Sequence, residues 1–330
     1  MNVGFTYNAA KDYPPQPGDQ PDRYAEFDKE ETLQEIAGAI REGGHEVVRI
    51  GDGRRLAERL TAGERWDIVF NIAEGVWGRN RESQVPALCE LYDQPYTGSD
   101  GLTLALTLDK VAAKKYVLWH KVATPGFAVV DGPGDLKSVR VKFPAIVKLS
   151  LEGTSKGLSA ASVVHNRAEL ARQAEQLLAA YHQPLLVEEF VRGTEFTVAV
   201  VGHSPPETLP TVQVTILGKT DLGEEIYTHD RVESSEVQYV CPAKIPAKLN
   251  RAIQSLAFNA YRALGCRDVG RIDVRVSERG TPYFLECNPL PNLGRIDVFP
   301  LVARAIGLTY NRLILKILNA GIRRYPSITQ

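Results

Sequence analysis

Residues 271–288 bring together side chains at a spacing suited to phosphate chemistry. They read Arg-Ile-Asp-Val-Arg-Val, then a polar turn over 277–281, then Pro-Tyr-Phe-Leu-Glu-Cys-Asn. Both flanks alternate polar and apolar residues with period two, the pattern of half-buried strands. With Arg279-Gly280 at the tip of a hairpin, Asp273 falls opposite Glu286. On that register Arg271, Asp273 and Arg275 share a face with Phe284, Glu286 and Asn288. Ile272, Val274, Val276, Tyr283, Leu285 and Cys287 then form an apolar face fit for a core. Two carboxylates and an amide oxygen on one face are the hard ligands that Mg²⁺ takes, and Mg²⁺ held this way serves phosphate chemistry. The same charges would also suit a solvated sheet face laced by cross-strand salt bridges. The rest of the chain decides between the two.

Other residues fit a nucleotide. Lys148 closes a strand expected over 145–148 and faces the loop Glu152-Gly153-Thr154-Ser155-Lys156-Gly157. Its glycines permit close backbone approach, while Thr154, Ser155 and successive N–H groups can hold phosphate oxygens. The loop lacks the Gly-Lys-Ser/Thr that opens a helix in a P-loop, and an ordinary glycine turn reads the same way. Lys110, opening a helix expected over 109–120, is either a second phosphate partner or a solvated helix lysine. The run 185–195 is a hydrophobic strand that ends in Glu188-Glu189 and then bends. Backbone groups near Glu189 and Val191 could read a purine edge, with Phe190 packed beside it and Glu195 accepting ribose hydroxyls. The alternative is an exposed strand end with solvated acids.

The elements that must position these groups follow from periodicity. The first hundred residues read as α/β: strands over 3–7, 46–50 and 67–72, and helices over 30–42 and 83–92. Residues 8–27 carry four prolines and are too long for an ordinary connection, which marks them as a functional loop. Further on, helices are expected over 167–181, 248–264 and 310–319, and strands over 185–190, 195–201 and 211–216. The stretch 218–236 is rich in charge and poor in apolar residues, so it is expected to be a mobile loop.

Composition sets bounds. At 330 residues the chain can bury two or three cores. Its 39 basic and 40 acidic residues leave a formal charge of −1, so no global field favours nucleic acid or an anionic membrane. There is no basic region followed by a signal-length apolar run at the N-terminus, and no apolar segment long enough to span a bilayer. Cys89, Cys241, Cys266 and Cys287 have no metal-type spacing and read as thiols in a reducing compartment. A cytoplasmic protein without nucleic-acid or membrane partners is expected.

Taken in order, the motifs resemble the ATP-grasp superfamily, and within it the D-alanine–D-alanine ligase family. Tyr96-Thr97-Gly98-Ser99 with Leu108-Asp109-Lys110 is similar to the family's junction between its first two domains. Val147-Lys148 with Gly153-Thr154-Ser155 resembles its phosphate-covering loop. Glu195-Phe196-Thr197-Val198-Ala199-Val200 and Tyr239-Val240-Cys241-Pro242-Ala243 are similar to its C-terminal segments, and Gly270-Arg271-Ile272-Asp273 with Glu286-Cys287-Asn288 to its metal motif. The resemblance implies an α/β and α+β ATP-grasp fold in three parts: 1–107, 108–192 and 193–330, with ATP held between the second and third. It implies that Lys110 and Lys148 bind ATP phosphates and that Glu188, Glu189, Val191 and Glu195 hold adenosine. Asp273, Glu286 and Asn288 would bind two Mg²⁺ ions, with Mn²⁺ as a substitute, and Arg271 would stabilise the tetrahedral intermediate. Arg231 falls where the family carries a phosphate-binding lysine, keeping the charge but not the geometry. A homodimer is also implied.

Substrate positions depart from that pattern. The family's Gly-Gly-x-Ser-x-Glu segment is replaced by the loop 8–27, its His-Gly by Glu74-Gly75, and its mobile-loop tyrosine by Val232. After the metal motif the chain reads Pro-Leu-Pro-Asn292-Leu-Gly-Arg295-Ile-Asp297-Val298. Asp297 stands at the serine that would bind the acceptor carboxylate, and it would repel one and suit a cation unless Arg295 compensates. Mismatched buried polar groups reject a substrate by roughly 10⁴-fold. The expectation is therefore an ATP-dependent carboxylate–amine ligase with small, amino-acid-like substrates other than D-alanine, contacted by Glu74, Arg271, Asn292, Arg295, Asp297 and Val298. An authentic D-alanine–D-alanine ligase, a small-molecule kinase of the same fold, and a nucleotide-binding module without catalysis are the alternatives.

Overall fold

Short strands with apolar centres build the first sheet. β1 (Asn2–Thr6) lies between β2 (Glu46–Gly51) and β3 (Ile68–Asn71), all parallel. β3 reads Ile-Val-Phe-Asn and is buried throughout, as expected of a parallel strand covered on both faces. Four helices accompany this sheet: α1 (Glu30–Glu42), α2 (Gly53–Thr61), α3 (Gln84–Leu91) and α4 (Gly101–Leu108). α1 buries Leu33, Ile36, Ala37 and Ile40, one helical stripe. The computed structural model describes residues 1–228, 231, 234, 236–295 and 297–326.

α5 (Lys110–Trp119) starts at Asp109, whose carboxylate accepts from the Ala112 N–H. A four-stranded antiparallel sheet follows, formed by β4 (Phe127–Val130), β5 (Ala145–Leu149), β6 (Val163–Val164) and β7 (Leu185–Glu189), in the order β4-β7-β5-β6. α6 (Arg167–Tyr181), capped by Asn166, packs Leu170, Ala174 and Leu177 against Val147, Leu185 and Val187 of this sheet.

The last sheet has six strands: β8 (Gly193–Val201), β9 (Glu207–Thr208), β10 (Val212–Ile216), β11 (Val237–Val240), β12 (Val269–Ser277) and β13 (Pro282–Asn288). Their order is β11-β10-β8-β12-β13, with β9 paired to β8. α7 (Ala247–Ala263) covers one face. α8 (Val298–Ala305) and α9 (Tyr310–Ile322) turn back to the N-terminal sheet, and Leu313, Ile314 and Ile317 join the core of Phe5, Leu33 and Ile36. α5 also crosses over: Ala113 and Val117 pack with Phe196, Val198 and Phe284 in the core of the six-stranded sheet. Among the described residues no single helix is long and apolar enough to cross a membrane.

The expected strands and helices recur within a few residues of their limits. α2, α4, α8, β4, β6, β9 and β11 had no expectation. α2 has only Leu56 and Leu60 to bury, and α8 follows a proline-bearing run that hides its start. In the β12–β13 hairpin the register changes. Arg271 pairs with Asn288 and Asp273 with Glu286, but beyond them Val274 pairs with Phe284. The extra residue, Leu285, bulges toward a cavity while Phe284 is fully buried. Phe284 therefore belongs to the core face, not to the face of Asp273 and Glu286 as simple alternation placed it.

Candidate active site

A cavity of about 330 Å³ is bounded by both antiparallel sheets and by the N-terminal segment. At its floor are the paired carboxylates of β12 and β13. Asp273 accepts from Arg271 (Nε to Oδ1 and Nη2 to Oδ2, both 3.1 Å), from Thr197 Oγ1 at 2.6 Å and from Asn288 Nδ2 at 3.0 Å. With its Nδ2 so engaged, Asn288 keeps its amide oxygen as a free acceptor. Glu286 lies 2.9 Å from Lys110 Nζ, which also donates to the Glu152 carbonyl at 2.6 Å. Burial favours a neutral Glu286, but Lys110 and Lys148 outweigh it and hold its carboxyl down at about 2.

The β5–β7 side supplies a cationic wall. Glu188, 1% exposed, is clamped between the fully buried Lys114 and Lys148 Nζ at 3.1 Å. Burial alone would lower Lys148, yet Glu188 and Glu286 raise it above its ordinary value, so it stays a cation at the cavity wall. The Glu188 carboxylate, expected to hold adenosine, is thus already engaged by two lysines at the cavity wall. The loop over 152–157 holds Thr154 and Ser155 at φ of 47° and 53°. Two successive non-glycine residues in the left-handed region mark a locally constrained backbone that aims its N–H groups, a nest suited to anions. Glu189, Phe190, Val191 and Glu195 line the same end. Arg275, absent from the expected site, organises them: it donates to the Val191 carbonyl at 3.0 Å and to Glu195 at 2.7 Å, with its guanidinium 5.2 Å from the Phe190 ring centroid.

The loop 8–27 clasps the glycine loop. Glu26 accepts from Gly153 N at 2.7 Å, Lys156 Nζ at 2.8 Å and Arg81 Nη2 at 3.0 Å. Asp22 accepts from Gly157 N at 2.9 Å and Tyr181 Oη at 2.8 Å. Despite burial, Arg81 and Lys156 hold Glu26 at about 2.

The family model described as D-ala D-ala ligase C-terminus matches residues 135–319. The chain is 35% identical over 295 residues to a D-alanine–D-alanine ligase of Syntrophotalea carbinolica, covering 89% of this chain and 91% of that one. It is 34% identical over 300 residues to an uncharacterised protein of Sinorhizobium fredii, covering 88% and 87%. The chain belongs to the D-alanine–D-alanine ligase family. Its fold matches the ligase of Bacillus anthracis solved with ATP, with a TM-score of 0.73 at 20% identity over 98% of both chains. It is an ATP-grasp ligase.

Within this family frame, Glu74, Asn292, Asp297 and Val298 line the cavity. Asp297 was expected to await a cationic ligand, but it already faces one: Arg271 Nη1 lies 3.4 Å away, and the carboxylate caps α8 at Val298 N. Burial nevertheless raises its pKa above the ordinary carboxylate value. Two expected residues stay outside. Arg295 points away, 3.1 Å from Glu35 and with its guanidinium 4.5 Å from the Tyr310 ring centroid, so it cannot compensate Asp297. Arg231 is held by Glu225 at 2.6 Å and Glu236 at 2.9 Å, and it borders a separate recess with Ser159 and His165. Its charge is already matched there, away from the cavity where it was expected to meet the phosphates. Val232 lies outside the described residues.

Several site residues carried little signal in the sequence. Lys114 stands one turn after Lys110, a spacing that could have suggested a shared face. Arg275 continues the polar alternation of Arg271 and Asp273. Glu26, Asp28, Arg81 and Glu82 meet only through tertiary contacts.

Proposed function

We propose that the chain joins a carboxylate to an amine using ATP, through an acyl phosphate, and that its substrates are not D-alanine. The observation that supports this most is the placement of Lys110, Lys148, Arg271, Asp273, Glu286 and Asn288 around one cavity between the two antiparallel sheets. The substrate carboxylate attacks the γ-phosphorus and ADP leaves. The amine nitrogen then attacks the acyl carbon, and phosphate and a proton depart. Lys110 and Lys148 counter charge on the transferring phosphoryl group, and Arg271 stands where the oxyanion forms. Closure by the loops over 152–157 and 218–236 would keep water from the acyl phosphate. The donor set Asp273, Glu286 and the Asn288 amide oxygen is all hard oxygen with an ionised Glu286, which fits Mg²⁺. Bound there, the ion would neutralise phosphate charge.

Segments 1–107, 108–192 and 193–330 form the three parts of this reading, with ATP between the last two. A homodimer in the cytoplasm completes it. Leu102 and Trp119, 79% and 83% exposed, offer apolar surface for the partner copy. Sedimentation of Trp119→Glu as monomer and of the wild type as dimer tests that.

Substrate-dependent ADP and phosphate release over a panel of carboxylate and amine pairs, with the coupled amide identified by mass, tests the reaction. A stable phosphorylated product without amide would instead mark a kinase. The name of the Syntrophotalea carbinolica relative favours a second reading, ligation of two D-alanine molecules. ADP release driven by D-alanine alone would decide for it.

A further inference from the structure

The N-terminal end of the cavity is acidic beyond what its own cations balance. Glu26 and Glu152 are matched by Arg81 and Lys156, which contact both carboxylates. Lys110 is paired with Glu286, and Lys29, which also lines this end, is solvent-exposed. That leaves Asp28, Glu74 and Glu82, all lining the cavity. Among the described residues none of the three carboxylates has an ion-pair partner within reach. Glu82 is only 8% exposed and opens onto this space. Gly75 builds the arrangement: at φ +74° its missing side chain lets the chain after Glu74 approach Arg81, whose carbonyl would lie 2.4 Å from a Cβ.

An acid buried without a counter-charge is costly, and the environment answers by holding on to protons. Burial raises Asp28 to about 7 and Glu82 to about 8. Burial, then Glu82 and Glu26, raise Glu74 well above its ordinary value. Three such groups facing one cavity destabilise the empty protein unless a ligand supplies the missing charge. One ammonium, which is all that an alanine offers, cannot match them.

We infer that Asp28, Glu74 and Glu82 form a subsite for the cationic part of a substrate that carries at least two positive groups beside its reacting carboxylate, such as a diamino or guanidino acid. This rests on the ligase reading above and names the substrate class of that site. Asp297 is not counted here, because Arg271 Nη1 already lies within ion-pair distance of it.

The test is equilibrium binding by calorimetry to protein saturated with Mg²⁺ and β,γ-methylene ATP, using both enantiomers of ornithine and arginine against D-alanine. At least one basic amino acid should bind about tenfold or more tightly than D-alanine. Glu74→Gln and Glu82→Gln should each weaken the basic ligand about tenfold while leaving the analogue's affinity within about twofold. Both variants should also melt at or above the wild-type temperature, since each removes an unmatched charge. D-alanine binding as tightly as the basic amino acids, absence of any basic-ligand binding, or variants that leave it unchanged would each overturn the inference alone. A clear fall in melting temperature would do so too, by marking the acids as structural. Failure of the ATP analogue to bind would instead strike the ligase reading, and this inference with it.

Discussion

Asp273 on β12 stands directly opposite Glu286 on β13, and the pairing slips by one residue immediately beyond them. The slip seals Phe284 into the core and turns Leu285 toward the cavity, so the two carboxylates sit at the last regular rung before the bulge. Arg271 and Lys110 then hold one carboxylate each, through contacts of 3.1 and 2.9 Å. The floor of the site is thus two acids of fixed separation, each oriented by its own cation.

Replacing Glu286 by Gln removes a proposed metal ligand and leaves Lys110 without its carboxylate. Coupled amide formation should fall by about 10²-fold or more, the scale of losing a main electrostatic contributor. Fluorescence titration of the metal-free nucleotide should change far less. Undiminished turnover in this variant would sink the metal assignment.

Glu188 sits between two lysines in the driest part of the cavity wall, with Lys114 and Glu188 each 1% exposed. Glu188→Leu strands both cations, and breaking a buried pair costs about 3–5 kcal/mol. Urea unfolding should show that loss. Pairing it with Lys114→Met should restore part of it, because one stranded charge is gone.

The pH dependence of stability follows from the N-terminal acids. Asp28 and Glu82 have folded values near 7 and 8, above those of the unfolded chain. The folded state therefore binds their protons more tightly. The stabilisation is complete below the unfolded values, about 4, and is lost as pH rises through 7 to 8. The nucleotide-free protein should melt several degrees lower at pH 8.5 than at pH 5.5, and Glu82→Gln should flatten that slope. Glu26 works in the opposite sense: held at about 2, it gives stability that is lost only as pH falls below its unfolded value, about 4.5, toward 2.

Arg295 and Arg271 separate charge from position. Arg295→Ala, which breaks an exposed contact to Glu35, should alter turnover less than about twofold and stability by under about 1 kcal/mol. Arg271→Lys keeps the charge but loses the two-point grip on Asp273, and kcat should fall with nucleotide KM little changed. Steady-state kinetics on the two variants checks both.

Periodicity and residue chemistry alone determined a good part of this protein. The hairpin, the rung of Asp273 and Glu286, α1 and α6, and the cavity-facing Lys148 were legible because each depends on neighbours close in the chain, where period and spacing report geometry directly. The family followed from motifs in order. Tertiary structure decided the rest. The bulge after Asp273 exchanged the faces of Phe284 and Leu285, which no alternation pattern can announce. Arg231 and Arg295 kept their charge but lost their place, since Glu225, Glu236 and Glu35 reach them first. The acids at 28, 74 and 82 come from two connections, one leading into α1 and one between β3 and α3, and meet only when the N-terminal segment closes on the cavity. Whether a charge is matched depends on which counter-charge folding brings within a few ångströms, and sequence spacing does not carry that distance.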